Sequence, residues 1–311
     1  FANAGFAVRL PARGILQLSA SSRLPRRARL LLSVGVHGDE TAPIEMLAQL
    51  LNALAAEPHA LAVDLMVVVG NPEAVAQGKR FVDIDLNRLF RAGRDAGGDS
   101  VEERRADAIM RATAAFFAGA GVEKWHLDLH TAIRASHYPA FAVVPAAIGD
   151  LRRSAMLGLL ACAGIGAAIL NPAPAGTFSA YTAIAFGAAS ATLELGQVGQ
   201  LGNNDLSRFA DAQRTIDGFM REGKPPASGE APHVFPHVFR VVQELIKHSD
   251  AFRMHIDRDV KNFTPLPPGT VIAEDGGTIY RVGLREEYVV FPNPDVRKGL
   301  RAGLMVVRGD T

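Results

Sequence analysis

Several residue types are scarce in this chain of 311 residues, and each shortage excludes a class of protein. There is one cysteine, Cys162, so the chain cannot form an internal disulfide or a zinc site built from several cysteines. Its alanine-rich, apolar surroundings predict a small buried side chain. No apolar stretch is long enough to cross a bilayer, and none resembles a signal peptide, so we expect a reducing, cytoplasmic location.

Charge of either sign is not in excess. The 33 lysines and arginines and the 32 aspartates and glutamates leave a formal net charge of +1. Neither a basic stripe for nucleic acid nor a lysine-rich face for a membrane is present. Apolar residues make up 48% of the chain, which predicts a globular protein with a large core. The composition is compatible with a homo-oligomer.

Strand-like and helix-like patterns alternate over the first two-thirds of the chain. The apolar runs predicted to be buried strands are 30–36, 65–69, 125–129, 141–144 and 191–195. The amphipathic stretches predicted to be helices are 42–54, 101–117, 151–163 and 206–221. This alternation predicts an α/β protein with a mixed, largely parallel sheet flanked by helices.

The pattern changes after residues 223–232, which have the glycine- and proline-rich composition of a linker. Short β-like runs separated by turn residues follow it, at 234–246, 270–273, 278–282, 288–291 and 304–307. The sequence therefore predicts a first domain over residues 1–224 and a smaller, β-rich C-terminal domain over 225–311.

The segment His37-Gly38-Asp39-Glu40 follows the first buried strand and precedes the first predicted helix. Ligands of parallel sheets gather beyond the carboxyl ends of the strands, where this imidazole and carboxylate would reach one cation. The alternative is an ordinary acidic helix N-terminus. Since two ligands do not complete a zinc site, we expect a third from another strand end.

Residues 126–130 offer two candidates for that third ligand. In a strand, His126, Asp128 and His130 share one face because side chains alternate. His130 lies at the carboxyl end of the strand, where the cleft is expected. His126 would lie about 13 Å further down the strand, at about 3.3 Å per residue. We predict that His126 is a hydrogen-bonded core histidine.

Two further segments carry polar groups that suit catalysis. Residues 79–90 bring two arginines and an asparagine beside two aspartates, which suits the binding of a carboxylate, or alternatively a solvated loop with ordinary ion pairs. Glu194 lies near the end of an apolar run and is followed by glycine. It could serve as a general base outside the coordination shell, or as an ion-paired structural glutamate.

Together these fragments resemble the succinylglutamate desuccinylase/aspartoacylase family, a branch of the zinc carboxypeptidase fold. The motifs that carry the resemblance are His37-Gly38-Asp39-Glu40, Asp85-Leu86-Asn87-Arg88, Asp128-Leu129-His130-Thr131 and Glu194. Residues 289–294 and 299–304 are similar to the desuccinylase branch in particular. One departure is Asp39, where those enzymes carry asparagine; it lies between the ligands and leaves coordination undisturbed.

The resemblance implies a zinc hydrolase whose catalytic domain is the segment 1–224. One Zn²⁺ per subunit would be bound by His37, Glu40 and His130. Asp85 would orient His37 from outside the coordination sphere.

The resemblance also implies roles for the remaining polar residues. Glu194 matches the catalytic glutamate, and Arg80 would polarise the scissile amide and stabilise the oxyanion. Asn87 and Arg88 would hold a substrate carboxylate. Arg134, four residues beyond His130, is a further candidate contact on the basis of its position, with an exposed loop arginine as the alternative.

The implied reaction is hydrolysis of N-succinyl-L-glutamate, a small tri-anion, to succinate and L-glutamate, the last step of arginine degradation by succinylation. An aspartoacylase-like enzyme would use the same residues on N-acetylaspartate, and a carboxypeptidase would need a cleft that is open at one end. A non-catalytic zinc-binding module is the alternative outside enzymology, although it would have no need of a base at Glu194.

Overall fold

The structure, a computed structural model, describes residues 1–20, 28–91, 93–94, 98–172, 176–226 and 234–309. The strands are β1 Phe6–Ala12, β2 Ile15–Ala20, β3 Arg29–Val34, β4 Asp64–Val69, β5 Lys124–Ala132, β6 Ala140–Pro145, β7 Ala167–Asn171, β8 Ala189–Gln197, β9 His237–Ile246, β10 Arg253–Met254, β11 Thr264–Leu266, β12 Val271–Asp275, β13 Thr278–Arg281, β14 Glu287–Val290 and β15 Arg301–Arg308. The α-helices are α1 Ala42–Ala56, α2 Pro72–Gln77, α3 Val101–Phe116, α4 Asp150–Cys162, α5 Phe178–Phe186 and α6 Ala210–Glu222. Short 3-10 helices lie at Ala2–Ala4, Pro58–Ala60, Leu86–Arg88, Ala146–Ile148 and Leu206–Phe209. Within the described ranges, no helix has the length and apolar character that a bilayer span requires.

Twelve strands form one mixed sheet in the order β1-β2-β4-β3-β5-β8-β6-β7-β9-β15-β14-β11, and a smaller sheet has the order β10-β12-β13. The centre of the large sheet is parallel, with β3 between β4 and β5, and β5 beside β8. Strand β6 runs antiparallel to β8 but parallel to β7, which in turn pairs in parallel with β9. The outer strands pair antiparallel. The predicted α/β fold with a mixed, largely parallel sheet is confirmed.

Successive side chains of the central strands pack alternately into two hydrophobic cores, one on each face of the sheet. Leu30 and Leu32 of β3 belong to the core that α1, α4 and α6 cover, whereas Leu31 belongs to the core that α3 and α5 cover. Burial on both faces explains why these strands read as continuous apolar runs. Ser33 lies on the same face as Leu31, toward α5.

The predicted elements of the first two-thirds are present, with shifted ends. The five predicted strands correspond to β3, β4, β5, β6 and β8, and the four predicted helices to α1, α3, α4 and α6. Strand β3 ends at Val34, two residues early, because Gly35 has a φ of 60° and turns the chain. Helix α6 begins only at Ala210, after a 3-10 turn. Cys162 is half-buried rather than fully buried.

The sequence did not predict β1, β2, β7, β10, β11, α2 or α5. Helix α5 is the most instructive of these, because every residue from Phe178 to Ala183 is buried. Over these six residues the helix is buried on all sides and has no polar face, so they produce no helical period in the sequence, although Ile184 near the end of the helix is exposed. This helix nevertheless packs against β5 and β8, beside the candidate site.

The C-terminal residues are rich in strands, as predicted, and extend the large sheet. Strand β9 pairs with β7, and Phe239 of β9 shares a core with Phe141 of β6 and Leu304 of β15. The large sheet is therefore continuous across residue 225, and the division into domains 1–224 and 225–311 stays a prediction. Most of the predicted linker, at 227–232, lies outside the described residues.

Candidate metal centre and active site

The sharp turn after β3 places the first two candidate ligands beside each other. After the left-handed Gly35, the chain passes close to the backbone of α2 at Gly38. A Cβ atom on Gly38 would lie 2.3 Å from both the carbonyl carbon of Ala74 and the amide nitrogen of Val75. Only glycine fits at this crossing, and this explains why a glycine separates the histidine from the acidic pair.

Three buried side chains from two distant segments converge here. The ligand atoms of His37, Glu40 and His130 all lie within 4.8 Å of one another. The Nδ1 atom of His37 is 2.7 Å from Glu40 Oε1, and the Nδ1 atom of His130 is 2.8 Å from Glu40 Oε2. Two imidazole nitrogens and a carboxylate form a donor set that can hold a divalent metal ion.

The outer nitrogen of each histidine lies beside an aspartate. The Nε2 atom of His37 is 3.0 Å from Asp85 Oδ1, and that of His130 is 3.1 Å from Asp128 Oδ2. At His130 the carboxylate that faces Nε2 favours the tautomer with its proton on Nε2, and this turns the Nδ1 lone pair toward the centre. At His37 the Nη2 donor of Arg80 also lies 3.2 Å from Nε2, beside Asp85. The sequence predicted the contact of Asp85 but assigned no role to Asp128, although strand alternation already placed Asp128 on the face of His130.

The charges around this group favour a cation at its centre. Burial by itself would raise the pKa of Glu40, but the two imidazoles outweigh it and hold the pKa well below its ordinary value. Burial would lower the pKa of His130, but Asp128 and Glu40 raise it well above its ordinary value. The carboxylates of Glu40, Asp85 and Asp128 thus favour positive charge on the two imidazoles. The residues fit a divalent cation, which would supply that charge while the Nδ1 atoms stay unprotonated.

Glu194 lies beside this group on the neighbouring strand. Strands β5 and β8 are in register with His130 opposite Glu194, and Glu194 is only 8% exposed. Burial, reinforced by the charge of Glu40, raises the pKa of Glu194 to about 7. A carboxylate with such a pKa can accept a proton and return it near neutral pH.

The predicted arginine and asparagine cluster meets the same group. Arg80 Nη1 donates to Glu40 Oε1 at 2.9 Å. Arg88 is partly exposed, and its Nη2 lies 3.8 Å from Asp85 Oδ2. Asn87 is buried; its Oδ1 accepts from the backbone N–H of Phe178 at 2.9 Å, and no described residue accepts from its Nδ2. That amide group and two guanidinium groups can together donate to an anion.

A buried glutamate that the sequence did not single out fixes the loop between Arg80 and Asp85. Glu102 accepts hydrogen bonds from the backbone N–H groups of residues 82, 83 and 84 at 2.7, 3.1 and 3.2 Å. It also accepts from the side-chain amide of Asn71, at 2.9 Å. Asn71 caps α2 and is fully buried, so its side chain supports this loop through Glu102.

The remaining two predicted residues lie apart from the ligand group. His126 is fully buried and hydrogen-bonded to Ser33 and Thr182, as a core histidine should be. Arg134 donates from Nε to the backbone carbonyl of Pro292 at 2.6 Å and lines a cavity of about 380 Å³ among C-terminal residues. Its role as a substrate contact stays a prediction.

Comparison with known proteins gives consistent results along the chain. Residues 26–220 match the model of the succinylglutamate desuccinylase/aspartoacylase catalytic domain, and residues 235–309 match that of the AstE/AspA barrel-sandwich hybrid domain. A protein named succinylglutamate desuccinylase from Burkholderia lata is 47% identical over 283 residues, covering 90% of this chain and 79% of that protein.

Solved structures of the same name are also similar. The succinylglutamate desuccinylase of Chromobacterium violaceum has a TM-score of 0.82 and 37% identity, covering 99% of this chain and 92% of its own. That of Vibrio cholerae has a TM-score of 0.87 and 32% identity, covering 97% and 88%. Murine aminoacylase 3, at 20% identity and a TM-score of 0.58, shares the fold alone.

Proposed function

The chain belongs to the succinylglutamate desuccinylase/aspartoacylase family, and we propose that it hydrolyses the amide bond of N-succinyl-L-glutamate to release succinate and L-glutamate. The observation that carries this proposal is the placement of Glu194, with a pKa of about 7, opposite His130 and beside the group His37, Glu40 and His130. The names of relatives up to 47% identical support the choice of substrate.

The proposed cofactor is one zinc ion per subunit, held by His37, Glu40 and His130. Its support is the convergence of two imidazole nitrogens and one carboxylate, with Asp85 and Asp128 behind the two histidines. When bound, zinc supplies Lewis acidity, which lowers the pKa of water and polarises a carbonyl group.

Glu194 is the proposed general base and acid. It accepts a proton from the attacking water and returns it to the nitrogen of the departing glutamate. In the metal-free protein its pKa is about 7, and a bound cation would favour the carboxylate form, which is the form that accepts the proton. Arg80, which donates to Glu40, is next to the reacting centre and would stabilise the oxyanion. Loss of one such donor typically costs about 3–4 kcal/mol of transition-state stabilisation.

The substrate carries three carboxylates, and the cluster beside the centre supplies donors for them. Asn87 offers its unused amide N–H groups and Arg88 its partly exposed guanidinium. Arg134 is proposed as a further contact. If Arg134→Ala leaves the KM for succinylglutamate unchanged, Arg134 does not contact the substrate.

Steady-state turnover of the zinc-loaded protein tests the proposal. We expect kcat/KM for N-succinyl-L-glutamate to exceed that for N-acetyl-L-aspartate by at least about a hundredfold, since unpaired polar groups in a site reject the wrong ligand. Glu194→Gln should retain zinc and lose about a thousandfold or more in kcat. The matched control is Glu73→Gln, a partly exposed glutamate in the first turn of α2. Preference for acetylaspartate would assign the chain to the aspartoacylase activity, and substantial residual turnover in Glu194→Gln would remove Glu194 from its role.

A further inference from the structure

A line of buried polar side chains begins at Asp128, runs away from the candidate metal centre and, beyond Asp128, has no part in the proposed reaction. The polar line consists, in order, of Asp128, Ser33, His126, Thr182 and Ser190, all fully buried. Strand register builds it, because Ser33 lies opposite Asp128 and His126 lies opposite Ser190. Helix α5 adds Thr182 from above the sheet.

Each member of the polar line lies within hydrogen-bonding distance of the next. Ser33 Oγ is 2.5 Å from Asp128 Oδ1 and 2.8 Å from His126 Nε2. His126 Nδ1 is 2.8 Å from Thr182 Oγ1, which is 2.8 Å from Ser190 Oγ.

Counting protons fixes the direction of these hydrogen bonds near Asp128. A carboxylate oxygen only accepts, so Ser33 spends its single proton on Asp128 and must accept at its own oxygen. The donor to Ser33 is then the Nε2–H group of His126. Burial lowers the pKa of His126 to about 4, so at neutral pH the ring carries this one proton and its Nδ1 atom must accept.

The far end of the polar line follows the same direction. Thr182 donates to His126 Nδ1 and therefore accepts from Ser190 at 2.8 Å, which is the shorter of two contacts open to the Ser190 hydroxyl, since the carbonyl oxygen of Ala188 lies 3.3 Å away. The hydroxyl of Thr182 also lies 3.0 Å from the carbonyl oxygen of Ser179. If Thr182 donated its proton to that carbonyl, the lone pairs of Thr182 Oγ1 and His126 Nδ1 would face each other at 2.8 Å, which is unfavourable. All the donors therefore point toward Asp128, and each hydrogen bond polarises the next.

We infer that His126, in its Nε2–H tautomer, is a positioning residue that acts through Ser33 to hold the Asp128 carboxylate in the orientation that faces His130. The inference rests on the proposed metal-dependent function. The proton from Ser33 occupies Oδ1 of Asp128 and leaves Oδ2, which lies 3.1 Å from His130 Nε2, to face that ligand. Asp128 Oδ2 and His130 Nε2 are in ion-pair contact without hydrogen-bond geometry, and neither atom has a hydrogen-bond partner in the described part of the chain. The polar line thus sets how strongly His130 binds the metal, from a distance of several side chains.

Imidazole NMR of the zinc-loaded protein, labelled with ¹⁵N, tests the tautomer directly. The signals of His126 are identified by their loss in His126→Gln. We expect a neutral ring with its proton on Nε2 between pH 5.5 and 8. A ring protonated on Nδ1, or a ring that becomes imidazolium within this range, would overturn the inference. This measurement needs no variant to retain activity.

Zinc affinity, measured by competition with a chelator, tests the positioning role. Ser33→Ala removes the proton given to Asp128 and should weaken zinc binding by about 10–100-fold, as loss of a group behind a metal ligand does. Thr182→Val keeps the side-chain shape but removes the donor to His126, so it should weaken binding by a smaller factor. Thr182→Ser keeps the hydroxyl and should restore affinity.

The matched control is Thr113→Val in α3. Thr113 is also fully buried, and its hydroxyl has no hydrogen-bond partner among the described residues. This variant should keep the wild-type affinity for zinc. If Ser33→Ala and Thr182→Val also keep it, while only their thermal stability falls, the polar line is structural and the inference is wrong.

Failure of this inference and failure of the proposed function give different results. Zinc affinity and the NMR signals of His126 are measured without substrate. A protein that follows the expected affinities but does not hydrolyse succinylglutamate would retain the positioning role and lose the proposed function. If the protein hydrolyses succinylglutamate but Ser33→Ala does not change its affinity for zinc, the proposed function stands and the positioning role is wrong.

Discussion

Replacing Glu194 by glutamine should stabilise the metal-free protein while it removes activity. Burial, reinforced by the charge of Glu40, raises the pKa of Glu194 from an ordinary value of 4.5 to about 7. Since one pKa unit corresponds to about 1.4 kcal/mol, keeping this carboxylate ionised at pH 8 costs the folded state about 3 kcal/mol. Glutamine has nearly the same shape and no charge, so Glu194→Gln should recover most of this free energy.

The expected gain depends on pH in a direction that the raised pKa determines. Below the unfolded pKa of 4.5, Glu194 is protonated in both states, so its ionisation costs the folded protein nothing. As the pH rises toward 7, the unfolded chain ionises first and the wild type loses stability relative to the variant. The full difference of about 3 kcal/mol should be reached at pH 8 and should shrink to about 1 kcal/mol or less at pH 5.

Urea unfolding of EDTA-treated protein at pH 5 and pH 8 measures this difference. Glu73→Gln, which replaces a partly exposed glutamate, is the control and should change the free energy of unfolding little at either pH. The reasoning is refuted if Glu194→Gln is no more stable than the wild type at pH 8, or if its advantage is the same at both pH values. Restoring zinc should reduce the advantage, because a nearby cation favours the ionised carboxylate.

Three further substitutions have defined outcomes. Gly38→Ala would bring its Cβ to 2.3 Å from backbone atoms, so it should lower the free energy of unfolding by about 3 kcal/mol or more and weaken zinc binding. Gly277→Ala is the control, since nothing lies within 4 Å of its added Cβ, and it should change neither quantity. Urea unfolding and competition with a chelator measure the two effects. Asn87→Asp keeps the acceptor for the backbone of α5 but replaces the free donor with a negative charge, so the KM for succinylglutamate should rise roughly tenfold or more. Because Asn87 is buried, the free energy of unfolding should fall as well. Glu102→Gln turns an amide donor toward backbone N–H groups and should lower the free energy of unfolding in urea by about 3 kcal/mol. Glu73→Gln, the control, should lower it little. If the two variants have equal effects, the loop does not depend on the Glu102 carboxylate.

The candidate ligands were accessible from the sequence because each lies at the end of an apolar run. Parallel strands bring their carboxyl ends to one edge of a sheet, so His37, Glu40 and His130 could be expected to meet, and the structure brings their ligand atoms within 4.8 Å. Glu194 was accessible for the same reason. The roles of Arg80, Asn87 and Arg88 came from the family resemblance, since a loop has no periodicity from which its position could be predicted.

Other parts of the site gave no sequence signal. Glu102 looks like an ordinary acidic residue in the first turn of α3, yet it accepts hydrogen bonds from a loop about 20 positions earlier in the chain. Ser33 and Thr182 are unremarkable within apolar runs, and their partner His126 is 93 and 56 positions away. Such contacts are pairings between distant segments, and a single sequence contains no measure of them.

The sequence by itself determined the alternation of strands and helices, the burial of the central strands and the emergence of a histidine and a glutamate from a strand end. These are local properties, because a periodicity of about 2 or 3.6 residues is written along the chain. Only the tertiary structure decided that Ser33, His126 and Asp128 form one line behind His130, with Thr182 closing it. The reason is strand register: a slip of one residue would turn each of these side chains to the opposite face of the sheet, and only the packing of α5 against β5 and β8 places Thr182 within reach.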